Sequence, residues 1–266
     1  MSDTPAVESR RISAFRSAFA RRQSSRTVEL SGGFAVLHGE VPLSQEHNQV
    51  IVDGAADPDG LSASADKVLG HLTHRRISVY DDEMGLACVE PLRRAGYLHS
   101  AELVMVHREE PPAADPSVEA VRADVLRTPL TRQLRAWMPD ASAELLGQLV
   151  GRRAIREGGA DSVLFLAAHT PRREVASWAD LYLDPAAGVA EFEDLITADR
   201  YTGRGYAEAV LGTALRRAAD AGCGLRFLLA DPDDWPRHWY ERRGFALIAR
   251  SHVFVRHVSD GATVPA

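Results

Sequence analysis

The sequence predicts an α/β (α+β) protein in which helices and strands alternate along most of the chain. Three observations carry that expectation. Apolar residues recur with helical spacing in some segments, and in others form short runs of strand-forming types. A glycine turn at 203–205 joins a strand pattern to a helix pattern. The two halves of the chain end in the same order of elements. With 266 residues, 45% of them hydrophobic and 26% charged, the balance is that of a globular protein. At roughly 150 residues per domain, the length suits one large or two small domains.

An amphipathic helix is expected over residues 10–22, then extended segments at 27–37 and 49–53 with a hairpin loop at 42–48. Next come helix 63–72, strand 76–80, helix 85–94 and strand 101–107. Beyond residue 118 the pattern predicts helices 130–137 and 143–156, then strands 162–168, 174–183 and 188–197. Helix 206–220 carries an apolar stripe at Ala207, Val210, Leu211, Ala214, Leu215 and Ala218, the spacing of a core-facing helix. Strand 225–230, helix 234–243 and strand 249–256 complete the order.

Prolines 111, 112 and 116 among small and charged residues mark a linker after the first apolar half. Sliding the chain by 148 residues lays Ile77–Arg108 on Leu225–Arg256 without a gap. Arg94, Gly96 and Arg108 then coincide with Arg242, Gly244 and Arg256. The matched order of strand, helix, Gly-aromatic and strand points to an internal duplication. The expected division is 1–110 for a first domain, 111–117 for the linker, 118–258 for a second domain and 259–266 for a flexible tail.

Several functions are excluded on composition. A net charge of −6 argues against a general nucleic-acid binder. No run approaches the ~18 apolar residues of a membrane helix, and Met1–Arg11 lacks the apolar core of a secretory signal, so a cytoplasmic location is expected. Cys88 and Cys223 are the only cysteines, too few for a disulfide framework or a cysteine-rich zinc module. The ten histidines are scattered, and no metal site is expected. No Gly-x-Ser-x-Gly elbow is present. Of 31 basic residues Lys67 is the only lysine, which reads as codon usage rather than phosphate binding.

The informative stretch is 188–245. Thr202-Gly203-Arg204-Gly205-Tyr206-Ala207 leads a strand into a helix. There glycine permits close approach of a phosphate, while unpaired backbone N–H groups and the helix dipole favour negative charge. Glu208 stands where a dinucleotide fingerprint needs its third glycine, and no Gly-Lys-Ser/Thr follows. The cradle is therefore of another kind. Gly222-Cys223-Gly224 ends a helix and reads as a plain turn.

Residues 188–256 resemble the core of the GCN5-related N-acetyltransferase (GNAT) superfamily, whose signature pairs a Gln/Arg-x-x-Gly-x-Gly/Ala loop with a closing Leu-Tyr-x-x-x-Gly-Phe. Here these read Thr202–Ala207 and Trp239-Tyr240-Glu241-Arg242-Arg243-Gly244-Phe245. Thr202 replaces the usual Gln or Arg, Asp233 the frequent cofactor-contacting Asn, and Trp239 the usual Leu. The resemblance implies a tandem GNAT-like fold with a mixed central sheet flanked by helices. It implies acetyl-CoA as cosubstrate, no metal, and direct transfer of the acetyl group to an amine. Thr202, Gly203, Arg204, Gly205, Tyr206 and Ala207 would hold the pyrophosphate, the edge of Leu195, Ile196 and Thr197 the pantetheine, and Asp233 would add a contact. Glu191 or Glu193, on one strand face by the period of two, would act as base; Asp194, on the other face, is the weaker candidate. Tyr240 would protonate the departing thiolate. Asp234 and Trp235 are expected to cap and pack the last helix.

The first half lacks the glycine cradle, and the 148-residue offset puts Leu92 where Tyr240 stands. It reads as a degenerate GNAT-like domain. The function expected is N-acetyl transfer to an amine of a small molecule or peptide. The alternative is a non-catalytic acyl-CoA-binding sensor on the same fold.

Overall fold

The computed structural model describes residues 4–258, and the expected tail 259–266 lies outside them. The chain runs α1 (Pro5–Arg22), β1 (Arg26–Leu30), β2 (Gly33–Leu37), β3 (Gln49–Val52), α2 (Leu61–Leu69), β4 (His74–Val79), α3 (Asp82–Arg94) and β5 (Leu98–His107). It continues through β6 (Val118–Val121), α4 (Ala123–Trp137), α5 (Ala143–Arg156), β7 (Ser162–His169), β8 (Val175–Asp184) and β9 (Val189–Thr197). After a 3-10 turn at Asp199–Tyr201 come α6 (Tyr206–Asp220), β10 (Leu225–Ala230), α7 (Pro236–Glu241) and β11 (Phe245–His257).

Local chemistry explains most boundaries. Asp81 caps α3 by accepting from the Met84 N–H at 2.9 Å, and Ser142 caps α5 by accepting from Leu145 at 3.1 Å. The segment between β2 and β3 is a loop tied by the Asn48 amide, which donates to Val41 O and Ser44 O. Helix α4 begins before Pro129, not after it as expected. Proline removes one helical hydrogen bond, but Leu126 and Leu130 on either side are both buried in the core and hold the turn in place. Strand β6 was not anticipated, because four residues beside a proline segment carry little periodicity.

The chain forms two compact units, each discontinuous in sequence: Met1–Gln23 with Val104–Ile248, and Ser24–Leu103 with Ala249–Ala266. They do not coincide with the contiguous segments 1–110 and 118–258. Helix α1 belongs with the second half of the sequence, and the chain passes between units inside β5 and β11.

The first unit carries the strand order β5-β10-β9-β8-β7-β6. Strands β9 and β10 run parallel, and β6 through β9 are antiparallel. Helices α4 and α5 cover a core of Leu126, Leu130, Val150, Phe165, Ala167, Trp178 and Ile196. Helix α1 is held by Glu8, whose carboxylate accepts two bonds from Arg108 at 2.6 and 2.7 Å. Phe15 meets Phe227 edge-on and Phe19 stacks on Tyr182 with centroids 4.4 Å apart. The linker 111–117 is pinned along α6: Arg216 donates to Pro111 O and Pro112 O, and the Thr213 hydroxyl accepts from the Asp115 N–H.

The second unit is ordered β1-β2-β3-β4-β11, with β3 and β4 parallel and β11 antiparallel to β4 from His252↔Val79 to His257↔His74. Its core includes Val50, Val52, Leu61, Leu69, Ile77, Cys88, Leu92 and Phe254. The order β4-α3-β5 recurs as β10-α7-β11, and each helix leaves through a left-handed glycine, Gly96 (φ 84°) and Gly244 (φ 77°).

Because Phe19 is buried against Tyr182, Phe19→Ala is expected to cost about 3 kcal/mol in urea unfolding. A loss below about 1 kcal/mol would show that α1 is not part of the first unit's core.

Candidate active site

The site begins where two parallel strands part. Pairing of β9 with β10 runs from Val189↔Leu225 to Phe192↔Leu228 and stops, although β9 continues to Thr197 and β10 to Ala230. On its other side β9 pairs Glu193 with Asp180 and next Ile196 with Trp178, so it holds one residue more than β8 over that step. This is a β-bulge, and such insertions bend a strand and increase its twist. Asp194, at the bulge, has φ 52°, a conformation Asp tolerates better than most residues. Leu195–Thr197 have no pairing with β10 among the described residues, which suits the addition of an extended ligand as a strand.

The glycine turn follows. Gly203 and Gly205 have φ 74° and 82°, and a Cβ built on either would meet nothing within 4 Å. Gly205 is the N-cap of α6 and offers no side chain to the helix start. The Ala209 N–H bonds back to Gly205 O, so the N–H groups of Tyr206, Ala207 and Glu208 precede the first helical bond and have no partner within the helix. Open space, left-handed glycines and a helix N-terminus fit a pyrophosphate. Thr202 and Arg204 are exposed, and the Arg200 and Arg204 guanidinium groups lie 4.8 and 5.8 Å from the Tyr201 ring centre.

Tyr240 is joined to both parts. Its ring packs edge-on against Phe245, which meets Phe192 at the last paired position of β9. Arg243 sits 3.8 Å over the Trp239 ring and donates to Glu208 at 3.0 Å, tying α7 to the first turn of α6. Burial pushes the Tyr240 hydroxyl up to about 12. It therefore carries its proton throughout the neutral range. His107 packs edge-on against Phe245 from the side of β5. Burial, reinforced by the nearby Arg226 charge, lowers it to about 4, and its Nδ1 finds no hydrogen-bond partner among the described residues.

Glu191 is 7% exposed and stands opposite Tyr182 on β8 and Phe227 on β10. Glu193 accepts from Arg156 at 3.0 Å and from the Tyr182 hydroxyl at 2.8 Å. Arg156 also donates to Asp194 at 2.8 Å. The bulge thus brings Asp194 to the same guanidinium as Glu193, whereas strict alternation had put it on the opposite face.

Residues 129–245 match the Acetyltransferase (GNAT) family. That stretch of the chain belongs to the GNAT superfamily. No curated protein matches the sequence. Among solved structures, a GCN5-related N-acetyltransferase from Kribbella flavida is 15% identical with a TM-score of 0.62, over 96% of this chain and 97% of that one. A functionally unknown conserved protein from Staphylococcus epidermidis is 13% identical with a TM-score of 0.65, over 87% of this chain and 93% of that one. A GCN5-related N-acetyltransferase from Sphaerobacter thermophilus gives 17%, 0.55, and 86% and 78% coverage. At these identities the likeness is one of fold.

Within the GNAT domain, Glu193, Leu195, Ile196, Thr197, Thr202, Gly203, Arg204, Gly205, Tyr206 and Ala207 follow one another in sequence from the bulge to the first turn of α6. Ile196 turns its side chain into the core, leaving its backbone at the strand edge, and its carbonyl accepts from the Ser177 hydroxyl at 2.8 Å. Asp233 is exposed between β10 and α7, its N–H donating to Asp231 at 2.8 Å. Asp234 accepts from the Trp235 N–H at 2.7 Å, but Trp235 is 69% exposed and does not pack as expected. The N-cap of α7 is Trp235, not Asp234 as expected, with no side-chain capping bond, and Pro236 opens the helix.

The sequence reading missed Arg153, Arg156, Asp180 and Tyr182, all buried. A signal existed. Leu146, Val150 and Arg153 follow the apolar spacing of α5, and Asp180 interrupts an otherwise apolar strand.

The histidine supplies a pH prediction. His107 is held near 4 in the folded chain and titrates near 6.5 when unfolded. As pH falls from 6.5 to 4 the unfolded state takes the proton first, so stability is lost over that window, by roughly 3 kcal/mol. His107→Leu is expected to flatten that part of the profile of unfolding free energy against pH. An unchanged slope would show that His107 is not buried as described.

Proposed function

We propose that the protein is an acetyl-CoA-dependent N-acetyltransferase acting on an amine of a small molecule or peptide. The observation that carries this reading is the joint placement of a splayed β9 edge, an open two-glycine helix start and Tyr240 in one GNAT domain. Acetyl-CoA supplies the activated acetyl thioester. The backbone N–H groups of Gly203–Ala207 bind its pyrophosphate, with Arg204 adding charge, and Leu195–Thr197 orient the pantetheine as an added strand. A carboxylate on β9, Glu191 or Glu193, takes the proton from the incoming amine, directly or through water. Tyr240 Oη holds the proton that the leaving sulfur needs.

The segments around the two helices α2 and α3 support a non-catalytic role for the first copy. Helix α2 starts at Gly60 with φ −83°, without the left-handed cradle of Gly203 and Gly205. Leu92 is wholly buried in an apolar core and carries no proton. We read 1–110 and 118–258 as a degenerate and an active copy joined by 111–117, located in the cytoplasm.

Two substitutions test the site. Gly205→Val is expected to abolish CoA binding in calorimetry, since a β-branched side chain fills the phosphate's space. The left-handed backbone adds a cost of roughly 1–2 kcal/mol, so melting is followed alongside. A folded variant with unchanged affinity removes the cradle assignment. Tyr240→Phe is expected to lower turnover by ~10² while leaving CoA affinity near that of the parent, read as thiol release from acetyl-CoA over a panel of amines. Full turnover in the variant would sink the acid role. CoA binding by the unaltered chain without any thiol release would favour the sensor instead.

A further inference from the structure

The most deeply buried charges in the first unit have no part in the reading above. Arg153 and Arg156, three residues apart on α5, have side chains 2% and 0% exposed, and Asp180 opposite them on β8 is 0% exposed. Arg153 Nε donates to Asp180 at 2.8 Å and its Nη2 to Asp194 at 3.1 Å. Arg156 Nη1 is shared between Asp180 at 3.0 Å and Asp194 at 2.8 Å, and its Nη2 donates to Glu193 at 3.0 Å. Arg152 adds a looser pair with Asp194 at 3.6 Å. Three arginines thus meet three carboxylates. Buried charge of this kind survives only with such matching, and it contributes geometry more than stability.

The geometry it sets is that of the bulge. Asp194 is at the bulge, Glu193 precedes it, and Asp180 is the β8 residue paired with Glu193. The two guanidinium groups therefore grip β9 at the point where it leaves β10. Both oxygens of Glu193 are engaged, Oε1 by Arg156 and Oε2 by the Tyr182 hydroxyl. Taking a proton would mean giving up one of those bonds. Glu191 lies two residues earlier on the same face, on the paired side of the parting.

We infer that Arg153 and Arg156 are positioning residues that fix the splay of β9, with Glu193 as their counter-ion. This rests on the acetyltransferase reading. Arginine is required because each fork spans carboxylates from two strands, which the point charge of lysine does not.

The test uses the full chain with Arg156→Lys and Glu193→Gln, following melting, CoA affinity by calorimetry, and thiol release from acetyl-CoA over the amine panel as a function of pH. Arg156→Lys is expected to lower kcat ~10-fold or more through misplacement and to raise KM for acetyl-CoA, because the Leu195–Thr197 edge moves with the bulge. Glu193→Gln is expected to keep the acid limb of the kcat profile. Turnover in Arg156→Lys equal to the parent, with only melting lowered, would reduce the arginines to a structural role and overturn the proposal. So would loss of the acid limb in Glu193→Gln with CoA affinity intact. If Arg156→Lys does not fold, the Glu193→Gln profile decides. Absence of CoA binding by the unaltered chain is a different failure: it overturns the acetyltransferase reading, and this one with it.

Discussion

The extra residue in β9 is the constraint on which the site depends. A regular strand would keep pairing with β10 to its end, and its backbone N–H and C=O groups would be spent on the ladder. With the insertion at Asp194, the pairing of β9 with β10 ends at Phe192 while its pairing with β8 runs on to Thr197. The strand then delivers the chain, through the 3-10 turn, to the start of α6. Strand edge and helix start follow one another in the chain. Arg153 and Arg156 of α5 bind the carboxylates of Asp180, Glu193 and Asp194 at the insertion.

The rest of the domain braces this arrangement from three sides. Aromatic contacts through Phe245 connect Tyr240, Phe192 and His107. Glu208 does double service: it stands where a dinucleotide cradle would need glycine, and it receives Arg243 from the turn that follows α7. Helix α1, from the far end of the sequence, covers Phe227 and Tyr182 on the face where Glu191 lies. The two cysteines are kept out of the chemistry by burial, which raises the Cys88 thiol to about 11 and the Cys223 thiol above its ordinary value.

What was legible in the sequence followed from local rules. Helix α6 and strand β10 fall on the residues that periodicity predicts, because the apolar stripe and the flanking glycines agree there. The glycine turn at 203–205 and the Tyr-x-x-x-Gly-Phe frame of 240–245 were readable as motifs. Illegible features were those set by distant partners. Strand alternation could not reveal the bulge, since the period of two holds only until an insertion breaks it. The discontinuous units were hidden because β5 and β11 pass from one unit to the other in mid-strand, which no local pattern records. Arg153 was half visible as a charge on an apolar stripe, but its meaning needed Asp180 and Asp194 from two other strands.

The proposed function puts one phosphate cradle in this chain, at residues 203–207, and none at the start of α2. Calorimetric titration of CoA into the full-length protein tests this most directly. The account predicts saturation at one CoA per chain. Two equivalents per chain, or no binding at all, would contradict it.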